Sequence, residues 1–145
     1  MFTSKGYKYS VYNPISNMRG VGIDVKAKLR DRGIKYIWQL VEYGKTEKQR
    51  IQLAQQIDIP LTVLKTLVSR ADLMRLRSVG DDLAYLLATA GVSSCRDLLQ
   101  YDPEQLHRRL IGLHIGQKIG YHTPTVAQVK SWISEAQELA VGSPE

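Results

Sequence analysis

The strongest constraint on this chain is a segment that returns. Met18-Arg19-Gly20-Val21-Gly22 leads into Ile23 to Arg32 and is closed by Gly33; Leu76-Arg77-Ser78-Val79-Gly80 leads into a matching run closed by Gly91. A constant offset of 58 pairs Met18 with Leu76, Gly22 with Gly80, Leu29 with Leu87, Gly33 with Gly91, Ile34 with Val92 and Leu40 with Leu98. Two glycines and four apolar positions aligned without a gap read as one supersecondary unit used twice. The later part recurs at an offset of 65, where Leu64-Lys65 and Ala71 meet Val129-Lys130 and Ala136, so an insertion of about seven residues is expected within 111–124.

Each unit reads as helical. Ile23 to Arg32 predicts a helix ended by Gly33 in a left-handed conformation, and Lys35 to Tyr43 predicts the next. Ile51, Leu53, Ala54 and Ile57 support a helix over about 46–57, and Pro60 starts another through Leu64, Leu67, Val68 and Ala71. The second unit predicts helices from Asp82 to Ala90, Ser94 to Tyr101, Pro103 to about Ile111, and Pro124 or Thr125 to about Leu139. Nothing alternates long enough to build a sheet, although Tyr7 to Tyr12 could extend along the surface. The join, residues 70–77, lacks glycine and proline and is expected to continue as helix. The organisation is therefore an extension (1–17), a first repeat (18–75), a second, diverged repeat (76–141) and a tail (142–145).

A chain of 145 residues, 43% of them hydrophobic, can close one core. Its single cysteine, Cys95, has no disulfide partner and suits a cytoplasmic, reducing setting, and no run is apolar enough to span a bilayer or export the chain. The net charge of +6 is uneven: residues 1–72 hold 13 Lys/Arg against 6 Asp/Glu, and residues 73–145 hold 7 against 8. An anionic ligand would therefore meet the first half.

An apolar residue, Gly20-Val21-Gly22, a helix with Ala27 and Leu29, then Gly33-Ile34, has the form of a helix-hairpin-helix element. In such a loop glycines let backbone amides converge on an oxyanion at a helix start. Arg19, Gly20, Gly22, Lys26 and Arg30 are the candidate phosphate-binding residues, and Lys28, Arg32 and Lys35 extend the basic patch. The bland reading stands beside it: the glycines serve packing, Asp24 caps the first turn, and the basic residues form a solvated face. The second hairpin replaces the first glycine with Ser78 and adds Asp81-Asp82, which would satisfy the amides of their own helix and repel phosphate.

With Ser69 to Leu76 and Val126 to Ile133, these hairpins resemble an uncharacterised bacterial domain family of tandem helix-hairpin-helix-like units, over roughly residues 15–140. The resemblance implies an all-α fold, duplicated helix-hairpin-helix-like (SAM-like) units packed as one compact body. It implies no activity.

No catalytic constellation or cofactor motif accompanies the fold. His107, His114 and His122 lack acidic or cysteine partners for a metal, and Gly112 argues against one helix carrying the first two. Cys95 stands near a helix start that could lower its pKa, yet nothing links it to a histidine, and it reads as a core thiol. Adjacent Asp81 and Asp82 do not face each other across a cleft. Trp38 and Trp132 read as core anchors, whereas Tyr7, Tyr9 and Tyr12 are candidate partner-binding residues. The expected function is thus a non-enzymatic helical binding or adaptor module acting through protein contact. The alternative is non-sequence-specific binding of nucleic-acid phosphate by the first hairpin.

Overall fold

A computed structural model describes residues 10–117 and 123–141. Among these residues there are two short 3-10 turns, Ser10–Tyr12 and Ile15–Asn17, and eight α-helices: α1 (Ile23–Asp31), α2 (Ile37–Tyr43), α3 (Glu47–Ile57), α4 (Leu61–Leu73), α5 (Asp81–Thr89), α6 (Cys95–Leu98), α7 (Pro103–Gln117) and α8 (Val126–Val141). The one β-type contact described is an isolated antiparallel bridge between Pro14 and Tyr36. Tyr12 lies in a turn rather than an extended segment; Tyr7, Tyr9 and His122 lie outside the described residues.

The hydrogen bonds recur with the sequence offsets. Gly22 and Gly80 are the N-caps of α1 and α5, two nine-residue helices. Ile34 N–H donates to Leu29 C=O at 2.9 Å, and Val92 N–H to Leu87 C=O at 3.0 Å. Both chain reversals need a backbone that only glycine adopts cheaply, with φ of 91° at Gly33 and 101° at Gly91. Farther on, Lys35 N–H donates to the Gln39 side chain, and Ser93 N–H to Asp97. Across the offset of 65, Leu64 N–H donates to Pro60 C=O and Val129 N–H to Thr125 C=O.

Packing follows the same order. Helix α4 lies against α2 and α3, α8 lies against α6 and α7, and α4 also packs on α5, joining the halves. The paired positions Leu29 and Leu87, Leu40 and Leu98, Leu64 and Val129, and Ala71 and Ala136 are all buried in one continuous cluster. Trp132 is completely buried with its indole N–H donated to Ser78 Oγ at 2.8 Å, while Trp38 is only partly buried.

Three elements depart from the sequence expectation. The helix expected from Ser94 to Tyr101 is only Cys95–Leu98, after which the chain turns through i to i+3 bonds from Gln100 N–H to Asp97 C=O and from Tyr101 N–H to Leu98 C=O. Helix α4 stops at Leu73, and the join turns through i to i+3 bonds from Leu76 N–H to Leu73 C=O and from Val79 N–H to Leu76 C=O. Met74 and Leu76 are both buried, and residues two apart on a helix would point roughly 200° apart, so the turn lets both enter the core. Helix α7 runs through Gly112 to Gln117 because buried Leu106 and Leu110, followed by Leu113 packed on the core, offset the roughly 1 kcal/mol cost of one helical glycine. His107 and His114 consequently share a helix, and His107 Nε2 lies 2.9 Å from Pro124 C=O.

Candidate functional site

The two hairpins meet at their tips. Gly20 takes φ of 72° at the first tip, a left-handed turn that a side chain would strain, and this places it beside the Tyr85 ring. The turn presents the Arg19 N–H to Asp81 Oδ2 at 3.0 Å, and the Arg19 guanidinium reaches Asp82 Oδ1 at 2.8 Å. Asp81 also accepts from Arg70 Nη2 at 2.8 Å. Arg19 and Arg70 lie over the Tyr85 ring, each 5.2 Å from its centroid.

Asp81 and Asp82 therefore reach across to arginines of the first half, where the sequence expectation had them capping their own helix. The reason is reach: at the first turn of α5 their carboxylates stand beside the neighbouring tip and a buried guanidinium, and pairing Arg70 offsets the cost of burying its charge. The second loop repeats the idea with a different partner, since the Arg77 N–H donates to both Glu135 oxygens at 2.9 and 3.0 Å. Arg19 and Arg77 are 58 residues apart, so equivalent loop amides each hold a carboxylate of the same chain. Arg70 and Glu135 are separated by 65, the offset that relates α4 to α8. Glycine spacing alone revealed neither contact.

The other candidate phosphate-binding residues scatter. Lys26 donates to Ser16 C=O at 2.8 Å, and Lys28 donates to Asp58 C=O at 2.7 Å just beyond α3. Arg30 is exposed, with Asp31 at 3.9 Å its nearest acid. Gly22 is the extended N-cap of α1, where a Cβ would approach Asp24 Oδ1 to 2.8 Å. Asp24 makes no capping bond among the described residues. The first tip also exposes Ile23 by 86%.

Sequence reasoning missed two aromatic residues. Tyr36 and Tyr43 are exposed by 43% and 41%, and Arg32 lies 5.6 Å from the Tyr43 ring centroid. The Gln39 carbonyl accepts both Lys35 and Tyr36 N–H and its amide donates to Gly33 C=O, which fixes the corner between α1 and α2. The spacing of seven between the tyrosines was the available signal, since it returns a helix to nearly the same face.

A cleft of about 730 Å³ runs between the halves and includes Lys65, Asp72, Arg75, Ser94 and Cys95 in its lining. Its charges are largely satisfied internally: Glu47 pairs with Lys65 and Arg50, and Asp72 with Arg75. The Lys65 ammonium holds the Glu47 carboxyl below its usual pKa. Burial, then the Asp72 charge, pushes the Cys95 thiol well above its ordinary value, in keeping with its reading as a core thiol. The thiol donates to Asp72 C=O, and the Cys95 N–H donates to the Asp72 carboxylate. No cluster of three His, Cys, Asp or Glu suited to a metal occurs among the described residues, and none of their helices is long and apolar enough to cross a membrane.

No curated protein and no solved structure was found to match the chain. The family model described as Domain of unknown function (DUF4332) matches residues 19–139, and the chain belongs to that family.

Proposed function

We propose that this family member is a non-enzymatic helical adaptor that works through protein contact in the cytoplasm. Two helix-hairpin-helix-like units, turned toward each other, form its scaffold; the hydrogen bonds repeated at offsets of 58 and 65 support that reading. The observation that carries the functional reading is the engagement of Arg19 by Asp81 and Asp82. A loop poised for phosphate would leave its leading amide and guanidinium open, whereas here both face carboxylates, and phosphate approaching this tip would meet like charge. Lys26 and Lys28 are likewise engaged with backbone carbonyls. Fixed internal contacts suit a rigid scaffold that presents other surfaces.

The discriminating measurement is anisotropy titration of labelled duplex DNA and single-stranded RNA at about 50 and 200 mM salt, with a Lys26→Ala/Arg30→Ala variant alongside. Adaptor function predicts no micromolar binding at the lower salt. Micromolar binding that weakens with salt and disappears in a folded double variant would establish the nucleic-acid alternative.

A further inference from the structure

We infer that the corner between α1 and α2, built from Arg32, Lys35, Tyr36 and Tyr43, docks an acidic segment of a partner protein that also carries apolar side chains. The inference rests on the protein-contact reading above and gives the partner a chemistry. Tyr36 is the N-cap of α2 and Tyr43 its last residue, and both expose ring surface. Tyr36, in extended backbone, stands just before α2 and Tyr43 ends it, so their backbone positions lie about 10 Å apart along the helix. That separation accommodates two side chains of an extended or helical segment.

The charge beside this aromatic face is cationic. Arg32 spans it by lying over Tyr43 while its Nε and Nη2 approach the Gln56 carbonyl at 3.4 and 3.3 Å, so the guanidinium is oriented without a carboxylate partner. Arg30 has only its chain neighbour Asp31 at 3.9 Å, and no ion pair engages Lys35 among the described residues. The local acids are Asp31 and Glu42, the latter 3.9 Å from Lys45. Arg30 with Asp31 and Lys45 with Glu42 cancel as pairs, which leaves Arg32 and Lys35 as the uncompensated cations beside the tyrosines. Lys28 and Arg30 in the last turn of α1 suit its dipole, but that role explains neither exposed tyrosine. Tyrosine and arginine together are the side chains that most often anchor protein interfaces, and a carboxylate-bearing segment complements the charge. Nucleic acid is disfavoured because the rings lack a continuous basic groove tracking a backbone.

The test uses the full chain, isotopically labelled, titrated with a peptide of alternating glutamate and leucine and separately with short duplex DNA. Amide shifts should concentrate in residues 30–45 on peptide addition. Tyr43→Ala and Arg32→Ala should each weaken the peptide about tenfold while retaining the wild-type helical spectrum, and Tyr36→Ala provides a second aromatic probe. Arg108→Ala/Arg109→Ala, on the exposed face of α7, should leave affinity unchanged. Peptide binding that is equally sensitive to the α7 variant, or indifferent to both tyrosines, would overturn this assignment and leave adaptor function standing. DNA binding to the same corner in preference to peptide would overturn both.

Discussion

Asp81 and Asp82 are neighbours, each is 2.8 Å from an arginine, and their isosteric replacement should nevertheless have unequal consequences. Arg70 retains only 4% of its side-chain exposure and Asp81 22%, whereas Arg19 and Asp82 retain 43% and 44%. Removing one partner of a buried pair strands a charge and costs roughly 3–5 kcal/mol; an exposed pair contributes about 0–1 kcal/mol. Because Asp81 keeps some solvent, the lower end applies, and Asp81→Asn should cost about 3 kcal/mol. Arg70 already has its Nε buried without a partner, so it has little local compensation to draw on. At about 2.1 cal/mol/K per residue, unfolding of 145 residues carries an entropy near 0.3 kcal/mol/K, and the loss corresponds to roughly 10 °C in Tm. Asp82→Asn should move Tm by no more than about 3 °C on the same arithmetic. Urea unfolding followed by circular dichroism measures both, with an unchanged m-value required for comparison. Equal, small losses would refute the assignment of Arg70 and Asp81 as the bolt between the halves. A second check is Arg70→Met/Asp81→Asn, which should be less destabilised than the sum of its single variants because the stranded charge is gone.

Measurements at three further sites probe separate parts of the structure. Cys95 should react slowly with a thiol reagent at pH 8 and rapidly after unfolding, since burial raises its pKa; rapid native reaction would contradict that burial. Its effect on stability has the corresponding sign: both states hold the proton below the unfolded thiol pKa, the unfolded state loses it first as pH rises, and this contribution declines through the alkaline range, whereas Cys95→Ala should flatten the decline. Gly44→Ala should destabilise by about 1–3 kcal/mol in urea unfolding because the new methyl would lie 2.6 Å from Val68 Cγ2 and 3.0 Å from Leu40 C=O. Trp132→Phe should lose about 1–3 kcal/mol by removing indole volume and the bond to Ser78, and a neutral result would refute the anchoring role.

The helix frame was legible because local signals agreed with burial. Gly33 and Gly91 close α1 and α5, Pro60 precedes α4, and the apolar positions related by each offset enter the same core. The errors arose where tertiary packing opposed local propensity. Residues 70–77 contain good helix formers, yet burial of both Met74 and Leu76 favours a turn. Gly112 is a weak helix former inside α7, but its neighbours supply enough core contact to carry the helix past it. The candidate site was less legible: Arg19 is local to its loop, while Asp81 meets it and Arg70 only after the halves assemble, and Glu135 reaches Arg77 only once α8 folds back on the second loop.

The divergence between the two hairpins has a physical direction. At the start of α5, Asp81 and Asp82 occupy the positions that Ile23 and Asp24 occupy in α1, separated by the common offset of 58. Two acids there engage Arg19 and Arg70, whereas an isoleucine in the corresponding first position has no charge with which to form such a bolt and remains 86% exposed. The second unit has thus spent its helix start on holding the first, and the first retains outward surface. The two helix starts are therefore unequal in what they hold: Asp81 and Asp82 fix the first tip, while Ile23 faces outward.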